Sequence, residues 1–138
     1  MPPSQVGHVL GGAHVFVYGT LVDPAKLDEV VGHRHQGERL RARVHGYRRV
    51  LADGYEYAFL VPQSDASVEG VLVMDLTAAD LVALDAYEDV EGGVYERLAV
   101  DVEVWGCGPN AMHVGGCSTY VGGPRLRALA SHSVLTPS

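Results

Sequence analysis

Apolar and polar residues follow one another along this chain in short blocks, mostly of strand length. The first block, HVFVYGTL, is β-branched and aromatic; it predicts a buried strand over residues 14–18 that Gly19 breaks. A helix is expected next, with Asp23 as N-cap, Pro24 at the first helical position and Gly32 just past the end. Strand material resumes over 40–51. A turn at Ala52-Asp53-Gly54 leads into YEYAFLV, which predicts a hairpin. VEGVLVMDL, residues 68–76, reads as a separate strand. Thr77 then caps a short helix, with Asp80 three residues on in the manner of a capping box, and the helix is expected to reach about Glu88. After the loop DVEGG, Leu98, Val100, Val102 and Val104 alternate with Ala99, Asp101 and Glu103 on opposite strand faces. A last short strand is expected over 118–121.

About six strands and two helices in this order lack the regular β-α-β alternation of a doubly wound sheet. The expected class is α+β: a small mixed, β-barrel-like sheet with helices packed outside. At 138 residues the chain suits one domain over 1–138. Its core is expected at about 14–121, with a flexible Pro/Gly-rich segment before it and a peripheral tail from Gly122.

Composition narrows the functions. Net charge is −7 and Lys26 is the only lysine, which argues against a phosphate-tracking surface and so against a nucleic-acid partner. Arg34, Arg39, Arg41, Arg43, Arg48 and Arg49 crowd into sixteen residues and read as a solvated strand face. Cys107 and Cys117 lack C-x-x-C spacing, and His113 between them does not complete a usual metal set. Neither a signal peptide nor a membrane helix is recognisable in the sequence. The expectation is a cytoplasmic protein, monomeric or weakly dimeric, with no membrane partner.

Two features offer chemistry. Tyr18-Gly19-Thr20-Leu21 joins a strand end to a helix start, where backbone N–H groups and the Thr20 hydroxyl can gather around an anion or a polarised carbonyl; an ordinary connecting turn has the same sequence. On the second helix Leu81, Leu84, Asp85 and Glu88 fall at i, i+3, i+4 and i+7, one face. Leucines turn that face inward, so both carboxylates point toward the core at the negative end of a helix. Burial and the helix dipole then favour a neutral carboxyl, the property of a general base working near pH 7. The alternatives are that the helix stops short and leaves Glu88 exposed, and that Asp85 is a structural partner of backbone or arginine. Tyr57, Tyr95 and Tyr120 lie on expected strands and can line a pocket or simply fill core. His14, His45 and His113 are scattered, and each reads as structural or surface.

Taken together, VFVYGTL, GYEYAFLVP, VEGVLVMDL and LDAYEDVEGGVYERLAVDV resemble the gamma-glutamyl cyclotransferase superfamily, and within it the short branch of plant avirulence-induced proteins and their bacterial relatives. The resemblance runs over residues 15–104. It implies a small mixed barrel with outer helices and a turn at Tyr18, Gly19, Thr20 and Leu21 that holds the glutamyl part of a small-molecule γ-glutamyl substrate. It also implies Glu88 as proton acceptor; Tyr57 and Tyr120 are expected beside it as substrate-binding pocket residues from their strand positions. The implied reaction needs no metal or cofactor: the substrate's α-amine attacks its own γ-carbonyl, forming 5-oxoproline and releasing an amine. Two departures bear on substrate choice. Many relatives carry Tyr-Pro where this chain has Tyr57-Ala58, and Gly92-Gly93-Val94 looks like an insertion relative to the plant members. Two other functions stay open: a non-catalytic module binding an amino acid or amine, and an enzyme trimming a γ-glutamyl protecting group from a metabolite or carrier-bound intermediate.

Overall fold

A computed structural model describes residues 13–51, 58–105 and 112–126. Its strands are β1 (Ala13–Val17), β2 (Arg39–Leu51), β3 (Ala58–Leu76), β4 (Tyr95–Trp105) and β5 (Met112–Gly122). They close into a barrel in the order β1-β3-β2-β4-β5. Every pairing is antiparallel except β1 with β5, which closes the barrel in parallel. Helix α1 (Pro24–Val31) follows β1 through a 3₁₀ turn, Thr20–Val22, and helix α2 (Ala78–Tyr87) follows β3. The mixed barrel with outer helices is the architecture the sequence led us to expect. Among the described residues no helix is long and apolar enough to cross a membrane.

Alternation along β1 splits the core in two. Phe16, and Tyr18 just past the strand end, join a cluster of otherwise strand side chains, including Val44, Leu60, Leu72, Val102 and Val104, which fills the barrel. Val15 and Val17 face the other way and pack with Leu27 of α1 and Leu84 of α2. Each fully buried leucine there contributes about 2–3 kcal/mol. The expected common face of β4 is present: Leu98 and Val100 pack against the barrel cluster that Val102 and Val104 join.

Both helices start as their sequences dictate. The Asp23 carboxylate accepts from the Ala25 amide at 3.1 Å, and Gly32 ends α1 in the left-handed region at φ 86°. Thr77 and Asp80 form a reciprocal capping box on α2. The helix itself stops at Tyr87 and leaves Glu88 as C-cap.

Three expectations are corrected. The described part of YEYAFLV, from Ala58 on, and the strand foreseen at residues 68–76 are parts of one continuous 19-residue strand, β3. The polar stretch between them stays in the strand because the mismatch with β2 is absorbed locally: His45 pairs with Ser67 but Tyr47 with Pro62. Gly46, at φ 89°, supplies the conformation that this irregularity requires. β5 begins at Met112, well before the expected 118, because its mostly exposed first half interrupts the weak alternation of Met112 and Val114 with two glycines. The tail is not peripheral throughout. The Gly123 amide donates to Val94 O at 2.8 Å and the Arg125 amide to Gly93 O at 3.0 Å, which places Leu126 in the core beside the helices, 2% exposed. The turn at Ala52-Asp53-Gly54, Tyr57, Cys107 and the segment before Ala13 lie outside the described residues.

Candidate active site

A cavity of about 870 Å³ opens at one end of the barrel. The end of β1 and the following turn supply Tyr18, Gly19, Thr20 and Leu21; the end of α2 supplies Tyr87 and Glu88. Tyr95 and Tyr120 line it from β4 and β5, and Leu126 from the docked tail. The structure therefore gathers Tyr18, Gly19, Thr20, Leu21, Glu88, Tyr95 and Tyr120 around one space, while Asp85 is not on its wall and Tyr57 lies outside the described residues.

The turn is short and self-bonded. Amides of Val22 and Asp23 donate to the carbonyls of Gly19 and Thr20 at 3.1 and 3.3 Å. The amides ahead of them belong to the first turn, whose N–H groups have no partner within a helix. The Thr20 hydroxyl shares a 2.9 Å hydrogen bond with the Tyr87 hydroxyl, so it ties the turn to the end of α2.

The two carboxylates of the predicted helix face have opposite environments. Arg97 donates to Asp85 through Nε at 2.8 Å and Nη2 at 3.1 Å, and the Tyr120 hydroxyl donates to it at 2.6 Å. Burial works against the charge on Asp85, but the bonds from Arg97 and Tyr120 outweigh it and hold the carboxyl below its ordinary range. Glu88 is half-buried on the cavity wall. Burial pushes its carboxyl up from 4.5 to about 7. Only Ala86 and Tyr87 thus separate a structural carboxylate from a carboxyl that burial raises toward neutral pH.

The phenols are fixed rather than reactive. Tyr18 donates to Tyr120 O, and Tyr95 to Ala58 O at 2.9 Å. Burial, with smaller contributions from Tyr95 and Glu88, raises the Tyr18 phenol well above its usual value. Burial also raises the Tyr120 phenol, with its bond to Asp85 next in weight. Both stay protonated at neutral pH and act as walls and donors.

Sequence reasoning missed Arg49, Tyr87 and Leu126 as cavity residues. Arg49 was hidden inside the arginine run, and its Nη1 donates to Tyr18 O at 3.1 Å. The solvated-face reading holds for Arg41, which is exposed, and Arg43 lies with it beside Trp105, with guanidinium-to-ring distances of 5.9 and 5.0 Å. Among the described residues no three His, Cys, Asp or Glu side chains are grouped as a metal set would be.

Comparison with solved structures defines the class. A protein of Arabidopsis thaliana solved in solution superposes with a TM-score of 0.63 at 28% identity, covering 80% of this chain and 68% of that one. A crystal structure of an AIG2-like protein from Mus musculus gives a TM-score of 0.56 at 25% identity, covering 85% and 83%. Residues 15–133 match the family Gamma-glutamyl cyclotransferase, AIG2-like, and the chain belongs to it. AIG2-like protein A of Arabidopsis thaliana is 34% identical over 89 residues, which is 64% of this chain and 51% of that protein. The chain spans about half the length of the curated relatives it matches.

Proposed function

We infer that this protein is a gamma-glutamyl cyclotransferase with Glu88 as its general base. The observation that carries this reading is the Glu88 carboxyl, raised to about 7, in the same cavity as the Tyr18–Leu21 turn. Ionised Glu88 removes a proton from the substrate's α-ammonium group. The freed amine attacks the γ-carbonyl carbon within the same molecule, and a new C–N bond closes the five-membered lactam. The bond from that carbon to the leaving nitrogen breaks. Glu88 passes this proton to the departing nitrogen, takes a second one from the attacking nitrogen as that becomes the lactam N–H, and gives it to the released amine, which leaves as an ammonium. Both protons are then accounted for and Glu88 is again ionised.

The energetics suit so modest a site. Nucleophile and electrophile share one molecule, and a cavity that folds the substrate supplies most of the catalysis by proximity. Donors at the Gly19–Leu21 turn would stabilise the oxyanion formed as the amine attacks. A carboxyl near 7 is the best compromise between taking a proton and giving it back at neutral pH.

The test is 5-oxoproline release from a panel of γ-glutamyl amides and dipeptides. Glu88→Gln should lower turnover by about 10²–10⁴-fold, the usual loss with a general base. Retention of near-parent turnover by that variant would remove Glu88 from the role. No release from any panel member by the parent protein would favour a binding module of the same fold.

A further inference from the structure

Arg49 is the one cationic side chain among the described residues lining the cavity. Its position follows from Gly46. Before that glycine, β2 sends Ala42 and Val44 into the barrel cluster; after it, Tyr47 packs with that cluster while Val50 joins the outer one. The irregularity at Gly46 shifts the alternation by one residue. Arg49 shares the phase of Tyr47 and pairs across the sheet with Leu60, itself inside the barrel. A residue of an arginine-rich strand is thereby turned to the barrel mouth, where its Nη1 rests on the carbonyl of Tyr18.

The charges of the reacting complex call for such a group. Ionised Glu88 and the substrate's α-ammonium cancel, and the substrate's α-carboxylate remains. A buried carboxylate without a cation is costly. The other acidic residues on the wall are engaged: Glu69 accepts from Arg43 at 2.6 Å, and Asp89 accepts from the Gly92 amide at 3.1 Å. The planar fork of a guanidinium matches a carboxylate in shape as well as charge.

We propose that Arg49 receives the α-carboxylate of the γ-glutamyl group, so that the protein selects amides that retain this carboxylate and holds 5-oxoproline by the same contact. The proposal rests on the cyclotransferase reading for its substrate, but its test does not need turnover. Binding of 5-oxoproline and of 2-pyrrolidinone, the same lactam without the carboxylate, is followed by NMR on the parent protein. The parent should bind 5-oxoproline about 10- to 100-fold more tightly, the worth of a charge-assisted contact. Arg49→Gln should erase that preference, and Arg49→Lys should keep part of it. Equal or absent binding of the two lactams by the parent overturns the proposal, whatever the fate of the catalytic reading.

Turnover gives a second arm. γ-Glutamyl benzylamide and 4-aminobutyryl benzylamide differ only in the α-carboxylate, and both can close to a lactam. Arg49→Gln should raise KM for the first about 10- to 100-fold with little change in kcat, and leave the second unaltered. Equal losses on both substrates would show a structural role for Arg49, through the Tyr18 carbonyl. A loss confined to γ-glutamylglycine, with the benzylamide unaffected, would place Arg49 at the leaving group. Either result refutes the assignment. Melting temperatures of both variants identify any that fail to fold, and the lactam comparison on the parent stands without them.

Discussion

Replacing Glu88 by glutamine should make this protein more stable at the same neutral pH where it should lower turnover. Burial lifts the Glu88 carboxyl from 4.5 to about 7. Between those values the folded protein holds a proton that the unfolded chain has released. Stability therefore falls as pH rises through this window and levels off above about 7. At 1.36 kcal/mol per pH unit the full penalty is ~3 kcal/mol. Water at the cavity mouth screens a half-buried group, which brings the expected value to about 2 kcal/mol. The Glu88→Gln protein has no such ionisation. Relative to its value near pH 4, its stability advantage over the parent should grow by about 2 kcal/mol by pH 8, roughly 6 °C in melting temperature for a chain of this size. Urea titrations of both proteins at several pH values between 4 and 8 measure the difference. The same carboxylate should make kcat/KM of the parent rise with pH through about 7, because only the ionised form accepts the amine proton. Parallel stability curves for the two proteins would refute the reasoning, since a carboxyl with an ordinary pKa gives no divergence above about pH 5.

Other substitutions separate scaffold from chemistry. Asp85→Asn leaves Arg97 and Tyr120 without their carboxylate acceptor, and should cost about 1–2 kcal/mol in urea unfolding while lowering turnover far less than Glu88→Gln does. Leu126→Ala removes a core side chain that also lines the cavity, and should cost about 2–3 kcal/mol; an unchanged urea midpoint would mean that the tail is dispensable. Burial pushes the Cys117 thiol up to about 11, so iodoacetamide at pH 8 should label its peptide only after unfolding, as mass spectrometry can read.

What could be read from the sequence was local. The capping box at Thr77 and Asp80, the leucine spacing of α2 and the Pro24–Gly32 helix are encoded within a few residues of where they act, and they appear as read. The parts that escaped depend on partners remote in sequence. Nothing near Asp85 or Glu88 says which is free to exchange a proton; Arg97 on β4 and Tyr120 on β5 decide it. The polar interval that seemed to divide β3 is held in strand by its pairing with β2 across Gly46. That same glycine reverses the inside–outside phase of β2, so simple alternation from Ala42 and Val44 puts Arg49 on the wrong face. Leu126 is a lone leucine in a weakly patterned tail, and only two backbone bonds to the loop before β4 bring it into the core.

These contacts join into a frame around the cavity. Arg97 fixes Asp85, Asp85 fixes the Tyr120 hydroxyl, and the Tyr120 carbonyl accepts the Tyr18 phenol. The Tyr18 carbonyl in turn accepts from Arg49. The chain runs from the end of α2 through β5 to the start of the donor turn, and each link is either charge-assisted or buried. It holds the cavity walls in place, as the proposed reaction would require, since its barrier would fall mainly by confining one flexible molecule. Such a frame also makes a raised carboxyl tolerable. A buried glutamate that ionises costs the fold about 2 kcal/mol, and the Asp85–Arg97–Tyr120 cluster beside it offsets a cost of that size. Asp85 in α2 and Glu88 at its C-cap are therefore complementary. One is stabilised as an anion and steadies the cavity; the other, raised by burial on the cavity wall, is the base of the proposed reaction.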